Sequence, residues 1–107
     1  MRVGIEKALD AFRAGTKANT GNDVVRANDN NDTVWYYYGT AIARRDTATR
    51  TIYLSMQGFP TKSTMERLNA ILCDFGNNDG DYFNTVKGKH FFGNREITDK
   101  EVIEIHY

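Results

Sequence analysis

Proline occurs once in the 107 residues (Pro60), cysteine once (Cys73) and histidine twice (His90, His106). A single cysteine excludes an internal disulfide framework and suits a reducing compartment. Charge of either sign is not in excess, since 14 Lys and Arg face 14 Asp and Glu. That balance speaks against a generic phosphate binder and equally against an acidic mimic of DNA. No window approaches the roughly 20 apolar residues that a membrane span needs. Met1 to Phe12 carries Glu6 and Asp10 and has no continuous apolar stretch, so it does not read as a secretory signal. Tandem repeats and low-complexity tails are missing too, and the length fits one domain.

The residues that usually carry chemistry are equally sparse. A nucleophile needs a nearby base, and no G-x-S-x-G elbow surrounds any serine. Cys73, beside Leu72 on a helical stretch, reads as a small core residue. The carboxylate pairs Asp79 with Asp81 and Glu101 with Glu104 fall in a turn or an exposed strand, where solvated charge is the default. One Cys and two His, none closely spaced, do not make a zinc centre. Asn77-Asn78-Asp79-Gly80-Asp81 lacks the length and closing Glu of a calcium loop. Lys87-Gly88-Lys89 lies between strands rather than leading into a helix, unlike a nucleotide-binding loop. No catalytic residue, metal or cofactor is therefore expected, and the chain does not read as an enzyme.

What is present is a pattern of secondary structure. Ile5, Ala8, Leu9 and Phe12 keep the i, i+3, i+4, i+7 spacing of a short amphipathic helix over Val3–Arg13, with Gly15 to end it. Residues 15–32 form the most polar stretch and read as a loop, with only Val24 and Val25 hinting at a strand. In that reading the loop links a mobile helix (1–14) to a main body (33–107). Thr33–Arg44 reads as one aromatic strand interrupted by a bulge at Gly39. Thr51–Met56 alternates, with Ile52, Leu54 and Met56 on one side, and Arg45–Arg50 is the turn between the two. Ser63-Thr64-Met65-Glu66 reads as a capping box ahead of Met65, Leu68, Ile71, Leu72 and Phe75, with Gly76 as the stop. Asn77–Asp81 is a turn, and Tyr82–Val86, Lys89–Phe92, Arg95–Ile97 and Val102–Tyr107 follow as short strands. The class is α+β: an antiparallel sheet of hairpins, one well-capped helix packed on a face, and a short N-terminal helix.

The most unusual stretch is Trp35-Tyr36-Tyr37-Tyr38, because neighbours on a strand point to opposite faces. Two of the four rings face away from the core unless the N-terminal helix covers the second face as well. Such rings suit protein contact, where Tyr and Trp dominate hot spots. Beside arginines they also suit base stacking on a single strand. The expected partner-binding residues are Trp35, Tyr37 and Tyr53 as apolar anchors, with Arg44, Arg45, Lys87 and Lys89 as rim charges.

One stretch also resembles a group of small phage-encoded accessory proteins, over about Val34–Leu72. The matching features are Tyr38-Gly39-Thr40-Ala41-Ile42-Ala43, a charged turn, a strand ending at Gly58, and a Thr-rich helix start at Thr61, Ser63 and Thr64. The helix then contains Arg67-Leu68-Asn69 and Leu72, and the aromatic hairpin Lys89-His90-Phe91-Phe92-Gly93 follows. The resemblance implies a viral accessory protein in the bacterial cytoplasm that binds and inhibits a host defence or replication protein, anti-CRISPR inhibitors of CRISPR effectors being the best-known class. It carries over no catalytic residue. The alternative is a small single-stranded nucleic-acid-binding module. Self-association through an open strand edge would make a homodimer of the monomer.

Overall fold

The N-terminal apolar stripe is a helix, α1 (Val3–Ala14), in the computed structural model, which describes residues 3–76 and 80–107. Ile5, Ala8 and Phe12 are wholly buried and Leu9 nearly so. Burying Ile5, Leu9 and Phe12 contributes roughly 1.5–3 kcal/mol each before ordering costs, enough to dock a helix too short to persist alone. The Phe12 ring lies 6.0 Å from both Trp35 and Phe75. Of the two outcomes open to this helix, docked or swinging free on the loop, the fold takes the docked one, and α1 is part of the core.

The polar stretch 15–32, expected as a loop, contains two strands, β1 (Ala18–Asn19) and β2 (Asp23–Ala27). Its polarity misled because Asp23 is an interior residue with interior partners, and because Gly21 (φ +96°) turns the chain tightly between the two strands. The Asn-rich segment does form the expected side-chain-stabilised turn: Asn28 Oδ1 accepts from the Asn30 and Asp32 amides.

The aromatic run is a hairpin rather than one strand: β3 (Thr33–Tyr37) and β4 (Thr40–Asp46) flank Tyr38-Gly39. Both turn residues have positive φ, +50° and +76°, as a two-residue primed turn requires. The bulge lies elsewhere. Trp35 pairs with Ala43 and Tyr36 with Ala41, leaving Ile42 as the extra residue. Strand β5 (Thr51–Leu54) follows the expected turn, in which Arg50 is left-handed.

Helix α2 (Lys62–Asp74) carries its apolar residues where the spacing placed them, and Gly76 is left-handed at its end. Its cap is Thr61, whose Oγ1 accepts from the Thr64 amide at 3.1 Å, so the expected Ser63–Glu66 box is displaced by two residues. Cys73 is exposed, not in the core. Of the turn expected at Asn77–Asp81, Asn77, Asn78 and Asp79 lie outside the described residues.

The chain then forms β6 (Phe83–Val86), β7 (Lys89–Phe92), β8 (Arg95–Ile97) and β9 (Ile103–His106), close to the expected bounds. All strand pairs are antiparallel, in a six-stranded sheet of order β1-β2-β3-β4-β5-β9 and a three-stranded sheet β6-β7-β8. Register explains the layering. Val25, Trp35, Ala43, Leu54 and Ile103 stand opposite one another across five strands and are all buried, forming the inner face on which α1 and α2 pack. One step along, Arg26, Val34, Arg44, Tyr53 and Glu104 form the outer row. The small sheet joins the core through Phe83, Phe92 and Ile97, and Asn69 of α2 clamps it by bonding both the N–H and the C=O of Phe83.

Candidate functional site

The seven expected contact residues are dispersed by the fold. Trp35 is 0 % exposed and donates from Nε1 to Asp23 Oδ1 at 2.9 Å, so it is a core anchor and not a surface one. Arg45 turns towards the helices, where Nη1 donates to the Phe12 carbonyl at 2.8 Å and Nε to the Tyr107 hydroxyl at 3.0 Å. It satisfies a carbonyl near the end of α1, where a cation also suits the helix dipole, and is no rim charge. Lys87 and Lys89 are exposed at the β6–β7 tip on the second sheet. Arg44 and Tyr53 share the outer face, the guanidinium 4.2 Å from the ring centre, with Arg44 also paired to Asp32 at 2.9 Å. Tyr37 is half-buried on the helix side of the sheet.

Under Tyr37 lies a buried polar network. Asp23 receives Arg67 Nε at 2.6 Å and Nη2 at 2.9 Å, besides the Trp35 indole, and Arg67 Nη1 donates to the Ser63 carbonyl at 3.0 Å. The guanidinium carbon sits 3.8 Å from the centre of the Tyr37 ring. Burial pulls the Arg67 pKa down. The hydrogen bond and charge of Asp23, helped by Tyr37 and Glu66, more than offset this and leave it raised. Arg67 is therefore a permanent cation that fixes α2, β2 and β3 to one another. A fork of two parallel bonds fixes orientation as well as distance.

This network underlies the surface with the most exposed rings. Tyr38 is 69 % exposed and Phe59 56 %, the highest values among the large apolar side chains described. Each ring is presented by a left-handed turn, Tyr38-Gly39 (φ +50°, +76°) and Gln57-Gly58 (φ +51°, +80°) before Phe59. A groove of about 240 Å³ lies between them, lined by Tyr37, Tyr38, Ile42 and Phe59, with Thr40 and Thr61 supplying hydroxyls. The Tyr37 and Tyr38 rings meet edge to face at 4.8 Å, and Tyr38 Oη accepts from Asn22 Nδ2 at 3.0 Å. An aromatic residue at positive φ costs on the order of 1 kcal/mol relative to the β region, so Tyr38 is held against local preference.

Neither Tyr38 nor Phe59 is among the contact residues expected from the sequence. The signal for both was a glycine beside a large ring, Tyr38-Gly39 and Gly58-Phe59, which marks a ring carried on a turn. Among the described residues no group of three or more His, Cys, Asp or Glu gathers as a metal site, and no helix is long and apolar enough to cross a membrane. What the groove offers chemically is ring surface, a few hydroxyls and a rigid floor.

Comparison with known proteins agrees with the viral likeness and widens it. A family model described as Kyanoviridae Gp96 protein, a phage family, matches residues 1–106. The match takes in α1 and the Asn-rich turn, which lay outside the resemblance over Val34–Leu72. No curated protein and no solved structure matches. With all but one residue of the chain covered, this small phage protein belongs to the Kyanoviridae Gp96 protein family.

Proposed function

We propose that this phage protein acts without catalysis, by binding a bacterial host protein through the Tyr38–Phe59 groove and occupying a surface the host protein needs. The observation that carries the reading is the pair of exposed rings on two left-handed turns, set either side of an apolar groove with a rigid floor. Rings held at a groove are the anatomy of a hot spot, since they offer large area at little entropic cost. A host defence protein is the target class that a phage accessory protein of this size would block, and inhibition of a CRISPR effector is its most specific form.

The test is capture from bacterial host lysate with the wild-type protein, with Tyr38→Ser/Phe59→Ser and with Lys87→Ala/Lys89→Ala. A host protein retained by the first and third and lost by the second is the expected result. Losing two hot-spot rings weakens binding by roughly 4 kcal/mol or about a thousandfold. Identical recovery by all three would remove the groove from the function. Expression in a host that targets the phage then reads out inhibition: plating efficiency rises with the wild-type protein and not with the double ring variant.

The single-strand reading rests on a different observation, the outer face where Arg26 lies 4.8 Å from the Tyr36 ring and Arg44 lies on Tyr53. Arginine and tyrosine in alternation suit base stacking. Titrating a labelled oligonucleotide against rising salt separates the two readings, because binding to phosphates falls steeply with salt and a ring-filled protein contact does not.

A further inference from the structure

The two ends of the large sheet are finished differently. At one edge β1 is two residues long and follows Lys17, which blunts it. At the other edge β9 carries Ile103-Glu104-Ile105-His106 and has neither lysine, proline nor a bulge. Its outward groups follow from the register. The Tyr107 amide donates to the Arg50 carbonyl at 3.0 Å, one step beyond the Thr51–His106 pairing. Alternate residues Ile105 and Ile103 therefore exchange bonds with Ile52 and Leu54, and the N–H and C=O groups of Glu104 and His106 point away from β5. Glu104 and His106 are exposed, and an open groove of about 560 Å³ separates the Ile103–Glu104 end of β9 from Phe92, Asn94 and Arg95 of the β7–β8 hairpin.

We propose that β9 pairs antiparallel with β9 of a second copy of this chain, joining two six-stranded sheets into one. The strand is complementary to itself in one register. Centred on Ile105, a two-fold axis sets Glu104 opposite His106 of the other copy, twice, at the spacing where opposed side chains meet. A shift by two residues either way sets Glu104 against Glu104 or His106 against His106, which is repulsive or without gain. On the inner face the half-buried Ile105 meets its own counterpart at the axis. The surface used is a strand edge and shares no residue with the Tyr38–Phe59 groove, so the inference stands apart from the proposed function.

Sedimentation of the whole chain at about 100 µM tests it. A species of twice 12.2 kDa is expected. Glu104→Pro and His106→Pro remove outward N–H groups that β5 does not use, so each keeps the β5–β9 ladder and its circular dichroism and gives a monomer, His106→Pro giving up only the contact of its Nδ1 with Thr51 Oγ1 at 3.1 Å. Glu104→Lys breaks both opposed pairs and weakens association about tenfold, and Glu104→Lys/His106→Glu restores it, since each pair is worth up to about 1 kcal/mol. A wild-type monomer at this concentration, a dimer that survives both proline variants, or no rescue by the charge exchange would each overturn the pairing.

Discussion

Removing Asp23 tests whether the buried network holds α2 on strands β2 and β3 in one arrangement. In Asp23→Ala three donors lose their acceptor at once: Arg67 Nε, Arg67 Nη2 and Trp35 Nε1. The side chains of Arg67 and Asp23 are 6 % and 4 % exposed, so water does not replace what is lost. Breaking a buried pair by deleting one partner costs about 3–5 kcal/mol. Against a total stability of about 5–15 kcal/mol this lowers the melting temperature by on the order of 15–20 °C. The pair is worth less than its breakage, because most of the cost is a stranded charge. Asp23→Leu/Arg67→Met should therefore recover at least about 2 kcal/mol of that loss. Trp35, the sole tryptophan and fully buried, reports unfolding in urea by its fluorescence. A raised Arg67 pKa stabilises fully below the unfolded arginine value and is lost only as pH rises through the still higher folded one. Its contribution is consequently flat from pH 5 to 9. The reasoning fails if Asp23→Ala loses under about 1 kcal/mol at unchanged m-value, or if the double variant is no better than the sum of the singles.

Three further outcomes follow from particular residues. Thr61→Ala should cost about 1 kcal/mol, as loss of an N-cap does, whereas Ser63→Ala should stay within about 0.5 kcal/mol; equal effects in urea denaturation would return the cap to Ser63. Tyr38→Asn should leave stability within about 0.5 kcal/mol, because relief of the left-handed backbone (about 1 kcal/mol) offsets the lost ring contact with Tyr37 (about 0.5–1.5 kcal/mol), while affinity for the proposed host protein falls about thirtyfold. Gly93→Ala should destabilise by about 1–3 kcal/mol, since φ is +61° and a Cβ there runs into the Asp81 carboxylate; thermal melts unchanged from wild type would contradict this close approach.

Most element positions were legible because they rest on local rules. The α1 and α2 stripes, the alternation at Ile52 and Leu54, and the glycine turns at Gly58, Gly76 and Gly88 depend on neighbours a few residues apart. The misreadings share another cause. Asp23 looked like a loop residue because its partner, Arg67, is 44 positions away. Tyr38-Gly39 looked like strand with a bulge because a primed turn rarely holds tyrosine, and the strain is tolerated only where the hairpin imposes it. Thr61 won the cap over Ser63 because the chain leaves the Gln57-Gly58 turn with Thr61 already extended (φ −85°, ψ 155°). For the candidate site, the sequence did not show which rings of the aromatic run the fold would bury: Trp35 is fully buried and Tyr37 half-buried. Trp35 and Tyr37 share the face the helices cover, Tyr36 takes the other face and Tyr38 leaves on the turn, an arrangement set by what packs on the sheet.

The amino-acid order alone determined that this chain makes two amphipathic helices and a series of short antiparallel strands, since hydrophobic period and turn chemistry act within a few residues. Its one cysteine also left an internal disulfide without a second thiol. Tertiary structure decided the rest: that α1 closes the core, that Trp35 and Arg45 serve the interior, and that Tyr38 and Phe59 share a groove. Those outcomes depend on contacts between segments far apart in the chain, such as the fork from Arg67 to Asp23, and no local pattern encodes a partner that only the completed fold brings near.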